Sequence, residues 1–143
     1  MELLPLVTGA VGGIGSWFAT AFIAEPLRQF YGMRREIVQA ILDSENVVAP
    51  RNERGDITKN FTDEDKVRLR DTQLKMRQLS TQMLSLAFTQ HLVVKWVKWL
   101  HYDPVEAGHS LIALSHNIAV FGNERSRSRK KVLAALRTEY LID

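Results

Sequence analysis

LLPLVTGAVGGIGSWFATAFIA, residues Leu3–Ala24, runs twenty-two residues without a charge, between Glu2 and Glu25. As a helix it would extend about 33 Å at roughly 1.5 Å per residue, enough for a hydrocarbon core of about 30 Å. Read this way, the chain is all-α. A single N-terminal transmembrane helix over residues 3–24 precedes a small cytoplasmic helical bundle over 26–143, with a loop at 44–61. A helix buried in the bundle is the competing reading, because four glycines and Pro5 leave the run only moderately hydrophobic. Gly9 and Gly13 lie four apart, and Gly12 and Ser16 repeat that spacing. Together they form a small-residue face for close packing against a second helix, as in a homo-oligomer.

The same stretch allows two other readings. Thr8-Gly9-Ala10-Val11-Gly12-Gly13-Ile14-Gly15 resembles TGxxxGIG, the phosphate-binding turn of short-chain dehydrogenases. That resemblance implies a dinucleotide cradled by backbone amides at a strand-to-helix turn. Its context is missing: the pattern after Ile14 stays helical through Leu42, Tyr31 is followed four residues on by Arg35 and not lysine, and no strands alternate with helices. Ala19-Thr20-Ala21 has the small-x-small form of a signal cleavage site, yet the segment before the apolar run carries Glu2 and no Lys or Arg, the wrong charge for a signal.

Composition sets outer limits. At 45% hydrophobic and 24% charged residues, the chain is not disordered throughout. It has no cysteine, which excludes disulfides, thiolate catalysis and Cys-based zinc sites. The formal net charge of +3 favours an anionic surface as partner without separating phospholipid from nucleic acid.

Beyond the apolar run, Pro26 marks a helix start or a kink. Leu27, Phe30, Tyr31, Ile37, Val38, Ile41 and Leu42 then recur at helical steps, with Arg28, Arg34, Arg35 and Glu36 on the other face. Arginines after the run and none before it predict the N-terminus outside and the body in the cytoplasm of a bacterial inner-membrane protein. Residues 44–61 hold Pro50, Gly55 and three Asn without a period, hence the loop.

Thr62-Asp63-Glu64-Asp65 predicts a capped helix start with acids in the positive first turn. From there Leu69, Thr72, Met76, Leu79, Met83, Leu86, Gln90, Val93, Val97 and Leu100 trace a heptad seam, suited to helices of the same chain or to a second copy. Late in this helix Leu84, Phe88, Leu92, Val94, Trp96 and Trp99 widen the apolar surface, and His91, Lys95, Lys98 and Tyr102 form one narrow polar stripe beside them. Trp96, Trp99, Lys95 and Lys98 fit the headgroup zone of a bilayer; the plainer reading is a bundle helix whose lysines snorkel to water.

Asp103-Pro104-Val105-Glu106 predicts the next helix, with an N-cap, a proline at N1 and an acid to complete a capping box. Leu111, Leu114, Ile118 and Phe121 are its core face, and Gly122-Asn123 its end. The last helix opens with Arg125, Arg127, Arg129, Lys130 and Lys131, five cations in seven residues. They suit the phosphates of anionic inner-leaflet lipid, or a merely solvated face. Nucleic acid fits less well, because no aromatics are interleaved with the basic residues. His109 and His116 are seven apart, not the four that chelation within a helix requires, so no metal site is expected. No catalytic residues and no cofactor are assigned.

FIAEPLRQFYGMRREIVQAIL, the acid-capped middle helix, and HYDP followed by a helix and a basic segment are similar to a family of short bacterial proteins. The resemblance implies an N-terminal membrane segment and a helical body. It covers most of the chain and carries no catalytic residue. The function expected is that of a non-enzymatic, membrane-anchored interaction or scaffolding protein that self-associates and meets a further protein partner. A soluble basic helical protein that binds nucleic acid is the alternative, and a dehydrogenase-like nucleotide binder the third reading.

Overall fold

The computed structural model describes residues 13–52, 54, 56 and 61–138, with the side chains of Asn52 and Phe121 left aside. The fold is all-helical. Helices α1 (Glu25–Glu45), α2 (Asp63–Thr89), α3 (His91–Trp99), α4 (Pro104–Asn117) and α5 (Asn123–Ala135) carry it. Two two-residue strands, β1 (Arg51–Asn52) and β2 (Val120–Phe121), pair in parallel and pin the α1–α2 connection to the α4–α5 turn. Among the described residues this pairing is the sole sheet, so the alternating strands of a dinucleotide-binding fold are missing.

Residues 13–19 are helical and lead through a π-helical segment, Thr20–Ala24, directly into α1. The π segment has a local cause. Pro26 has no N–H and its ring crowds the carbonyl four residues earlier, and wider i→i+5 bonding, such as Glu25 N–H to Thr20 O, relieves that crowding. The helix therefore passes the proline without stopping.

This continuity corrects the reading of residues 3–24 as a transmembrane helix. Residues 3–12 lie outside the described residues. Among the described residues, no helix is long and apolar enough to cross a membrane. Within the described residues, the helix turns charged at Glu25 and Arg28 directly after residues 13–24. A single-pass inner-membrane placement with an outside N-terminus is accordingly set aside.

Local chemistry places the other helix starts. The Thr62 hydroxyl accepts from the Asp65 N–H at 3.2 Å, while the Asp65 carboxylate accepts from the Thr62 N–H at 2.9 Å, a complete capping box. Those hydrogen bonds from Thr62 hold the Asp65 carboxyl below its ordinary pKa. At α4, Asp103 accepts from the Val105 and Glu106 amides at 3.2 and 3.1 Å. Glu106 does not reach back to close a box; it accepts from the Ser110 hydroxyl at 2.9 Å.

Phe30, Ile37 and Ile41 of α1, Met76, Leu79, Met83 and Leu86 of α2, Val93 and Val97 of α3, Leu111 and Leu114 of α4, and Val132 and Leu133 of α5 form one core. The heptad seam thus faces the protein's own helices. It does so across a break: Gln90, at φ −109° and ψ 63°, separates α2 from α3. The core helix α1 runs antiparallel to α2, with Asp43 3.8 Å from Lys75 at one end and Gly32 and Met33 sharing a groove with Ser85 and Leu86 towards the other. Helix α4 approaches α2 closely at Gly108, whose carbonyl accepts from the buried Ser80 hydroxyl at 2.8 Å.

Candidate functional site

The α3 helix is too short to bury more than one narrow face. Val93 and Val97, four apart, fill the core, and the rest of the surface is turned outward. Leu92, Trp96 and Trp99 are exposed, Trp99 to 73%, and Phe88 at the end of α2 joins them at 61%. Trp96 and Trp99 meet edge to face at 6.3 Å, with Lys95 lining the same shallow depression. His91 and Lys98 are also exposed. Tyr102, expected in the same polar stripe, is not part of it. The helix ends at Trp99, His101 takes a left-handed φ of 66°, and Tyr102 turns in against Phe30 at 5.4 Å, with the Arg34 guanidinium 5.6 Å from its ring.

A second apolar element lies at the same end of the bundle. Gln29, Gly32 and Met33 of α1 line one groove with Thr89 and Gln90, the residues that lead into α3. Ala24 is five residues before Gln29, or about 8 Å along the helix axis. The arm formed by residues 13–24 therefore leaves α1 on the side of this groove, towards the end of the bundle where α2 gives way to α3. Its large side chains are outward too: Ile14, Trp17, Phe18 and Phe22 are all exposed, with Phe18 and Phe22 stacked at 4.4 Å and Trp17 edge-on to both. Gly13 has nothing within 4 Å of where a Cβ would stand, and Ser16 is exposed; Gly9 and Gly12 of the small-residue face lie outside the described residues. Neither residues 13–24 nor 88–102 contain an acid, and the chain's three tryptophans all fall within them.

The basic run divides into two faces. Arg125 donates to the Ser44 and Val47 carbonyls, capping the negative end of α1. Arg129, one turn on, pairs with Glu45 at 2.6 Å, although its Nε is buried without a partner. Burial, and then the nearby Arg129, lower the pKa of Arg125, against an opposing pull from Glu45. Both side chains are thus engaged by the fold. Arg127, Lys130 and Lys131 are exposed. Arg34, expected beside a membrane, is likewise drawn inward, donating to the Leu136 carbonyl at 2.9 Å and closing α5 against α1.

Arg127 and Lys131 instead border a polar cleft of about 430 Å³ between α4 and α5, opposite Glu106, His109, Ser110 and Asn117, with Glu124 and Ser128. Asn117 donates to Ser128 at 3.1 Å. Cations and carboxylates alternate along this cleft, so it has no net sign to select a ligand. His109 and His116 are exposed on α4, and among the described residues no group of three or more His, Asp or Glu could hold a metal.

The apolar spacing already groups Phe88 and Leu92 with Trp96 and Trp99, beside Lys95 and Lys98, but along one unbroken helix; the break at Gln90, which puts Phe88 on α2 and the others on α3, leaves no sign in it. Comparison with family models, curated proteins and solved structures returns no match.

Proposed function

We propose that this chain is a non-enzymatic interaction protein that docks through the arm–α3 end of its bundle. One observation supports the reading: eight large apolar side chains stand exposed, Ile14, Trp17, Phe18 and Phe22 on the arm, Phe88 at the end of α2, and Leu92, Trp96 and Trp99 on the outward side of α3. Isolated exposed apolar residues are ordinary on a protein surface, whereas a clustered set marks a surface that something covers. Tryptophan is the side chain that most often carries binding energy at such a surface, since it buries a large area at low conformational cost. The opposite end is charged, with Asp43 paired to Lys75 and Glu45 to Arg129.

Photo-crosslinking from within the cell tests this. With p-benzoylphenylalanine at position 17, 96 or 99, adducts are expected at all three. The same probe at exposed Val67, towards the far end of α2, should give none. Equal labelling at position 67, or no adducts at the three aromatic positions, would remove the basis for a docking end.

A further inference from the structure

We infer that the partner of the arm–α3 end is an anionic phospholipid surface, onto which the bundle seats peripherally. The inference rests on the docking reading above and names what that end meets.

Charge selects this partner among those an apolar surface admits. Residues 13–24 and 88–102 offer apolar side chains, Lys95, Lys98, His91 and His101, and no carboxylate. A second copy seated α3 against α3 would bring Lys95 and Lys98 against themselves, a like-charge contact at the centre of that interface. A protein groove would be apolar with acids at its rim. A phospholipid surface supplies both properties over an unlimited area: an acyl boundary for the aromatics and phosphates for the lysines. Nucleic acid supplies the phosphates but leaves Ile14, Leu92 and Phe88 with nothing to bury against.

The side-chain geometry also matches. On α3, Leu92, Trp96 and Trp99 form one ridge, while His91, Lys95 and Lys98 form the next, with Val93 and Val97 rooted in the core on the opposite side. Adjacent apolar and basic ridges on one outward face let the indoles sink to the headgroup level while the ammonium groups remain among the phosphates. Trp17, Phe18 and Phe22 on the arm provide a second apolar contact from the same end. Two weak contacts held by one rigid bundle reinforce each other, as with two-signal membrane attachment.

The test is co-sedimentation of the full chain with vesicles of phosphatidylcholine alone, or with phosphatidylglycerol as roughly one-third of the lipid. Binding is expected to the anionic vesicles and not to the neutral ones. It should weaken steeply at about 0.5 M salt, where screening shortens to roughly 4 Å. Lys95→Gln with Lys98→Gln should reduce the partition coefficient roughly 25-fold, about fivefold per lysine. Trp96→Ser with Trp99→Ser should reduce it at least about tenfold, through the apolar contribution. All four side chains are exposed, so the helical circular dichroism of these variants should match the parent's. Equal binding to both vesicles, or binding indifferent to the lysine pair, would overturn the proposal. Failure to bind either vesicle, with position 17, 96 and 99 adducts on a protein or on a second copy, would also overturn it while leaving the docking reading in place. Failure of vesicles and crosslinks alike would end both.

Discussion

Lysine in place of Met76 is expected to cost the bundle about 4–5 kcal/mol, the range reached when a charge is forced into a core without a partner. Met76 is fully buried at the centre of α2 and belongs to the cluster that joins α1, α2, α4 and α5. Against a total stability of about 5–15 kcal/mol, that loss removes much of the folded population. With a urea dependence of about 2 kcal/mol per molar, the midpoint should fall by roughly 2 M. Gln78→Lys, two residues on but exposed, supplies the control and should shift it by no more than about 0.5 kcal/mol. Parent-like stability in Met76→Lys would mean that the seam faces solvent.

The second large effect is expected at Gly108. A Cβ there would stand 2.6 Å from Leu84 Cγ and 2.7 Å from its Cδ2, closer than carbon atoms tolerate. Gly108→Leu should therefore push α4 from α2, strain the Ser80 hydrogen bond, and cost about 3 kcal/mol. The helix-propensity gain from removing a glycine, about 1 kcal/mol, is smaller and of opposite sign. Adding Leu84→Ala makes room where the clash arises, so the double variant should be less destabilised than the sum of the two single changes by about 1 kcal/mol or more. Denaturant melts of the four proteins give that coupling directly. Additive losses would place the close approach of these helices elsewhere.

How far the fold was legible depends on how local the deciding chemistry is. The starts of α2 and α4 follow from Thr62-x-x-Asp65 and Asp103-Pro104, because a cap needs only the amides of the next turn. The core faces of α1, α2 and α4 follow largely from apolar spacing, although Tyr31 and Leu42, read onto the apolar face of α1, are exposed. The break at Gln90 has no such sign: no glycine or proline stands there, and the heptad steps run through it undisturbed. That break re-aims α3, so the Trp96–Trp99 and Lys95–Lys98 set was legible as a surface while its direction was not; the inward turn of Tyr102, set by the left-handed His101 after α3 ends, was equally unsigned.

The basic run failed in a different way. Read by composition it is one patch, yet residues four apart share a helix face. Arg125 and Arg129 turn together towards α1, and Arg127 and Lys131 turn together towards α4. The 3.6-residue period contained this division, although not which pair would meet Ser44 and Glu45. In the apolar run, the lack of charge could not reveal where the helix ends. Pro26 is absorbed by the π-helical segment, and the arm passes into a charged bundle helix.

Docking requires one end of the molecule to be open in the free protein, and all three tryptophans report on that end alone. Acrylamide quenching of the intrinsic fluorescence of the monomeric, folded chain tests it most directly. Trp17, Trp96 and Trp99 are exposed to 63%, 51% and 73%, so quenching should proceed to completion along a single straight Stern–Volmer line. Emission should also stay close to that of the urea-unfolded chain, since unfolding exposes little further indole surface. A fraction that resists quenching in the monomer, released only on unfolding, would show that the protein covers this end itself and would contradict the docking surface.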